Sequence, residues 1–266
     1  MEPTLLPVLC TVLALAAIGL LSGYVGIGGG VLIIPLLTWL GVEGGVGALD
    51  AHNVAKGTTL VVSCLTALSG HLVHRRKADP GRSTLPLAAG VAVSAFVGGR
   101  VAVLVLGPAM LPLFGVAALL AAAGFVLRRE GGRTDPLPGG FRAFLLGLPI
   151  GFCAALFGLG GAIFTGLVFS GILGYPMRRV VVATTLAQVF GAATGSIAYA
   201  LGGSDGVEGI PLLVGYVHLP TALVAAAVTW PLARMGAHLT HRTPPLGVRV
   251  AFAAILVVIG LRFLLG

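Results

Sequence analysis

Two clusters of glycine, each followed by an apolar run and then a pair of threonines, hold most of the chemistry this chain can offer. The first cluster is Gly26-Ile27-Gly28-Gly29-Gly30, and its run ends in Ala55-Lys56-Gly57-Thr58-Thr59. The second is Gly158-Leu159-Gly160-Gly161-Ala162, and its run ends in Val182-Ala183-Thr184-Thr185. Glycine costs about 1 kcal/mol against alanine inside a helix, so each cluster is a natural break. A helix restarting after a break aims free N–H groups and a positive dipole end at whatever lies there, and glycine lets a ligand approach the backbone. This is anion-binding chemistry. Gly28, Gly29, Gly30, Gly160 and Gly161 are the candidate backbone donors. Thr58, Thr59, Thr184, Thr185, Asn53 and Gln188 are the candidate side-chain donors. Lys56 and Arg100 are the candidate cations.

Each feature also has a plainer reading. Glycine clusters pack helices closely, and threonine hydroxyls bond across to neighbouring helices or back to helix carbonyls. Lys56 stands at the outer end of its expected span, where its chain can snorkel to the interface. Arg100 lies about two turns inside its span, where a charge faces a cavity or a partner; an anionic substrate or a backbone carbonyl would serve. His71 and His218 can titrate near neutrality or sit as satisfied core residues.

The chemistry that is missing narrows the function. Glu2, Glu43, Asp50, Asp79, Glu130, Asp135, Asp205 and Glu208 all fall in termini or expected loops. Carriers of cations and protons place carboxylates within the membrane, so this distribution argues against both. The sequence has no Gly-x-Ser-x-Gly elbow, His-Glu-x-x-His or Walker motif, hence no catalytic residues, metal or cofactor are expected. The spacing of Cys10, Cys64 and Cys153 fits neither a zinc site nor a disulfide framework, and they read as small buried apolar residues.

The elements that position these residues follow from composition. Hydrophobic residues make up 57% of the 266 and charged residues 9%, far below the roughly 25% charge of a soluble domain. Lipid is the matching solvent, and several runs approach the ~20 residues that span it. The net charge of +8 gathers in short loops rather than in a stripe with interleaved aromatics, which excludes nucleic acid as a partner. The two glycine clusters are 132 residues apart and the threonine pairs 126 apart, about half the chain, so the chain reads as a duplication. Each half has a stretch broken by its cluster (5–40 and 143–173) and three simple spans (54–73, 84–106 and 109–127; then 180–201, 211–233 and 248–265). Basic loops mark the cytoplasmic side. The 143–173 stretch has basic loops at both ends and must turn back within the membrane as two short helices; 5–40 is expected to do the same from outside. The expected fold is an all-α polytopic membrane protein of two inverted repeats, each a broken helical hairpin plus three transmembrane helices. The first repeat covers 1–128, a cytoplasmic linker 129–142 and the second repeat 143–266, with both termini periplasmic.

The motif Gly26-x-Gly-Gly-Gly-x-Leu-x-x-Pro35, followed by Ala55-x-Gly-Thr-Thr59, resembles the TauE/SafE family of sulfite exporters. Its weaker copy, Gly158-x-Gly-Gly161 with Ala183-Thr-Thr185, is also like that family and extends the resemblance over nearly the whole chain. The copy departs at Ala162 and Leu167, where the first has Gly30 and Pro35, so the two breaks need not contribute equally. The resemblance implies export of sulfite, sulfoacetate or another organosulfonate from the bacterial cytoplasm through the inner membrane. A secondary transporter rocking between two access states is the expected mechanism. A passive anion channel and a membrane scaffold without transport are the alternatives, and pairing with a second copy of the chain stays open.

Overall fold

A computed structural model describes residues 5–25, 29–74, 84–127, 134–175, 177–203, 207, 210–239 and 245–265. In the first half these form α1 (Leu5–Val25), α2 (Gly30–Glu43), α3 (Ala48–His74), α4 (Thr84–Leu104), a single 3-10 turn at Gly107–Ala109, and α5 (Met110–Leu127). The second half gives α6 (Gly140–Leu156), α7 (Ala162–Gly166) continued by a π turn at Leu167–Ile172, and α8 (Met177–Ala200). A small antiparallel hairpin, β1 (Leu213–Val214) and β2 (Val217–His218), precedes α9 (Leu219–Leu239) and α10 (Pro245–Leu265). The chain is thus mostly helical, and its helices are apolar.

Polarity is distributed for lipid rather than water. Leu85, Val93 and Val97 of α4, Leu223 and Val224 of α9, and Val258 and Leu265 of α10 are exposed. His52, Asn53, Lys56, Thr58, Thr59 and Ser63 of α3 are buried. A broad apolar exterior around a polar interior is expensive in water and suits a bilayer, where polar groups must be satisfied inside the protein.

Several sequence expectations need correction. The stretch 5–40 is not two short helices: α1 has 21 residues, about 31 Å at 1.5 Å per residue, and only α2, with 14 residues, is too short to span. The two arms also do not pair closely with each other. Instead α1 packs along α9 and α2 along α3; in the second half, α6 packs along α4. The expected loop 41–53 is mostly helix, since α2 runs to Glu43 and α3 begins at Ala48, which puts Asp50 in a helical first turn. The expected span 211–233 starts late because its first residues make the β hairpin. The glycine in that turn permits it: Gly215 has φ +54°, a conformation other residues adopt at a cost. Arg234, expected in a loop, lies on α9 with its guanidinium 5.3 Å from the Trp230 ring centre.

Close packing of α4 on α6 explains why both are rich in small residues. A Cβ on Gly90 or Gly98 of α4 would run into the carbonyl oxygen of Phe144 or Phe152 on α6. A Cβ on Gly151 of α6 would run into Val91 O and stand 2.7 Å from Val91 Cα. Helices in lipid gain from such contact because no hydrophobic force draws them together. Gly151→Leu is therefore expected to destabilise the fold by about 1–3 kcal/mol, read as a lower melting temperature in detergent than Gly171→Leu, whose site faces only a Leu167 side-chain carbon at 3.4 Å.

Candidate anion site

The site is built on α3. Residues 52, 56, 59 and 63 recur every three or four positions and so form one stripe of that helix, with Asn53 one turn before Lys56 at its edge. The described end of the first glycine cluster and the second break both come to this stripe. A Cβ on Gly30, the first residue of α2, would stand 3.4 Å from Gly158 O, Leu159 Cα and Thr59 Cγ2. Gly158 lies on Lys56, its Cβ position 2.7 Å from Lys56 Cγ. Gly160 lies on Ser63, its Cβ position 2.9 Å from Ser63 Cβ and 3.3 Å from Gln188 Nε2 of α8. The second break takes this path because Gly158, Gly160 and Gly161 have φ of +71°, +71° and +94°, where a side chain is strained.

Three of the expected residues present polar atoms that are deeply buried and have no hydrogen-bond partner: Lys56 Nζ, Asn53 Oδ1 and Thr59 Oγ1. Lys56 is 0% exposed and Asn53 3%. The snorkelling reading of Lys56 is thereby corrected. Its helix starts eight residues earlier, at Ala48, so the ammonium stands more than two turns inside and lies over the Tyr199 ring, 5.4 Å from the centroid. Leaving a cation and a hydroxyl so deep without partners is costly, and such groups mark sites where something binds.

The other expected residues divide. Gly28 lies outside the described residues; Gly29 precedes α2 and accepts from the Leu32 and Ile33 amides, both at 3.0 Å. Gly30, Gly160 and Gly161 belong to the breaks just described, and Gln188 is buried beside Gly160. Thr58 faces elsewhere: its Oγ1 accepts from the His218 amide at 3.0 Å, which fastens the β hairpin to α3. Thr184 bonds back to Val180 O at 2.9 Å within α8. Thr185 Oγ1 is 3.3 Å from His71 Nδ1. Each of these three hydroxyls thus has a partner within the protein: the hairpin, its own helix or His71.

Arg100 is not drawn to the stripe either. Its Nη1 donates to Leu201 O at 2.8 Å, beyond the last residue of α8. A cation there satisfies an end carbonyl and complements the helix dipole. Arg100→Leu is accordingly expected to lower stability by about 0.5–1 kcal/mol and to leave substrate affinity unchanged, as thermal melting and transport KM would read.

Two residues escape sequence reasoning. His52 stands one turn before Lys56, with Nδ1 3.2 Å from Thr38 Oγ1, Nε2 unpartnered, and its ring 5.1 Å from Phe114 and 5.3 Å from Phe263. Its position four before Lys56 is the signal that could have found it. Tyr199 not only underlies Lys56 but donates its hydroxyl to Ala155 O at 3.2 Å, at the end of α6 just before the second break. The β hairpin closes the N-terminal end of α3. Tyr216 O occupies the space that Gly57 leaves without a side chain, and the Tyr216 hydroxyl donates to Asp50 Oδ1 at 3.1 Å. Beside this hairpin lies a mostly apolar cavity of about 540 Å³ between α1, α2, α3 and α9, with Thr58, His218 and Thr221 in its wall.

Apolar helices around a polar interior, with an uncompensated buried cation at the meeting of two broken segments, define a multi-pass membrane protein of the transporter class. The chain matches the Sulfite exporter TauE/SafE family over residues 11–263 and belongs to that family. It is similar to the probable membrane transporter protein MJ0441 of Methanocaldococcus jannaschii, with 29% identity covering 93% of this chain and 92% of that one. It is also similar to two probable membrane transporter proteins of Bacillus subtilis. YdhB is 28% identical over 95% of this chain and 98% of its own, and YunE 23% identical over 97% of each. No solved structure matches the chain.

Proposed function

We propose that this protein is a secondary transporter that exports a small sulfur-containing anion, such as sulfite, sulfoacetate or another organosulfonate, across the bacterial inner membrane by alternating access. The observation that carries the reading is the run of Asn53, Lys56 and Thr59 along α3, whose buried polar atoms lack partners, with Lys56 and Thr59 lying against the glycine breaks. An oxyanion of this kind offers three oxygens to an ammonium, a hydroxyl and an amide, and the first N–H groups of α2 start at the same place. Deep burial of Lys56 favours a carrier that encloses its substrate over an open channel. A scaffold would have no use for an unpaired buried cation.

The helix pairing supports the inverted-repeat reading, with halves 1–128 and 143–266 joined by the linker 129–142. Replacing each helix by the one five places on turns the α1–α9 contact into α6–α4 and the α4–α8 contact into α9–α3, and leaves α3–α8 and α5–α10 unchanged. All of these contacts exist, as a two-fold relation between the halves requires. In this reading both termini are periplasmic, and the α3 stripe lies near the middle of the membrane, where repeats of this kind hold their substrates.

The test is flux of labelled sulfite into liposomes holding the purified protein, with two threonine variants. Thr59→Ala is expected to raise KM about 10-fold, the worth of one hydrogen bond to a charged group. Thr184→Ala, which removes only a bond within α8, is expected to leave KM unchanged. Equal effects of the two, or no saturable flux of any sulfur anion from folded protein, would sink the proposal.

A further inference from the structure

We propose that the α3 site selects singly charged oxyanions and rejects dianions of similar size; this deepens the transport reading above and rests on it. The argument is a count of charges. Among the described residues that line the site, Lys56 supplies one positive charge. Its other walls are neutral: Asn53, Thr59, Ser63, Gln188 and the backbone of the two breaks. The nearest acid along α3, Asp50, is engaged with the Tyr216 hydroxyl at the N-terminal end of the helix. His52 packs against the Phe114 and Phe263 rings, which also touch each other, and is counted as a neutral imidazole. From α8, the side chain facing the ammonium is Tyr199, whose hydroxyl donates to α6 carbonyls.

One ammonium balances one negative charge. A sulfonate or a hydrogensulfite brings that single charge spread over its oxygens, and Lys56, Thr59 and Asn53 can meet them together. A dianion such as sulfate leaves one charge uncompensated among helices that face lipid, where charge is expensive. The Tyr199 face adds to the discrimination, because an aromatic face is electron-rich and attracts the ammonium while repelling a second negative charge. The amide of Asn53 can turn either its oxygen or its nitrogen toward the ligand, so it tolerates an oxyanion with or without a hydroxyl group.

The experiment uses the full chain in liposomes, with labelled methanesulfonate as the transported probe and sulfate and sulfite as competitors. Methanesulfonate keeps one charge at every pH used, sulfate keeps two, and sulfite passes from one to two near neutrality. Sulfate is expected to compete at least roughly 100-fold less well than unlabelled methanesulfonate. The affinity of sulfite is to be divided by that of methanesulfonate at each pH, so that a change in the protein common to both anions cancels. That ratio is expected to fall as pH rises, in step with the loss of hydrogensulfite. Asn53→Lys, which sets a second ammonium one turn from the first, is expected to improve sulfate competition at least ~10-fold; if that variant does not fold, the wild-type comparison decides. Sulfate competing as well as methanesulfonate, or a sulfite ratio flat with pH, would overturn the inference and leave the transport reading standing. Failure of all three anions to bind or move would overturn both.

Discussion

Lys56→Met is expected to abolish sulfur-anion flux, by about 100-fold or more, while the protein keeps or gains thermal stability. The two effects have one cause. Lys56 Nζ is buried with no hydrogen-bond partner and rests on the Tyr199 ring at 5.4 Å. A cation–π contact is worth about 2 kcal/mol when desolvated, less than the several kcal/mol that an ion loses on leaving water. The ammonium is therefore a burden on the fold, and methionine, of similar length and apolar, removes it. Function would lose the only charge that the described walls of the site offer an anion. A structural lysine behaves differently: its replacement lowers the melting temperature, and flux falls only with the amount of folded protein. Melting of purified protein beside liposome flux per folded molecule separates the two. A destabilised variant that still transports would remove Lys56 from the site.

Gly158→Ala is the second large effect, and Gly161→Ala is its internal control. Both glycines have positive φ, +71° and +94°, so alanine at either costs about 1–2 kcal/mol in backbone strain. They differ in space. At Gly161 the new Cβ would meet Ala154 Cβ at 3.5 Å, an ordinary contact. At Gly158 it would stand 2.7 and 2.8 Å from the Lys56 stem and 3.0 Å from its Cα, which belongs to a helix and cannot give way. Gly158→Ala is expected to cost about 3 kcal/mol or more, and whatever folds should bind substrate poorly, because the clash displaces the base of Lys56. Gly161→Ala should melt somewhat lower with KM unchanged. Similar KM values for the two would mean that the second break does not position Lys56.

Much of this was legible in the sequence, for identifiable reasons. Long apolar runs and basic loops respond to lipid and membrane potential, which act on stretches of chain rather than on tertiary detail, so α4, α5, α8 and α10 fall near their expected places. Asn53, Lys56 and Thr59 stood out in the sequence because polar residues gather just downstream of a glycine break, and α3 buries all three. What was not legible depends on where a helix begins. Moving the start of α3 back to Ala48 turned Lys56 from an interfacial residue into a buried one and brought His52 onto the stripe. The first threonine pair divides because adjacent residues on a helix point about 100° apart: Thr59 faces Gly30, while Thr58 meets the hairpin. Arg100 finds its carbonyl on a helix a hundred residues away, a partner no local pattern announces. The hairpin at 213–218 was hidden in an apolar run, and its anchor is the lack of a side chain at Gly57.

The exchange of partners between the halves has a consequence for how the protein is made. When the ribosome has delivered α1 to α5, α1 still lacks α9, α4 lacks α6 and α8, and α5 lacks α10. The glycine-lined surface of α4, shaped to meet backbone at van der Waals distance, then borders loosely packed lipid chains. Helices can insert one by one, but their assembly waits for the last, α10. A nascent chain stopped near its midpoint would be a set of inserted helices rather than half a folded protein, and quality control in the membrane would meet it as such.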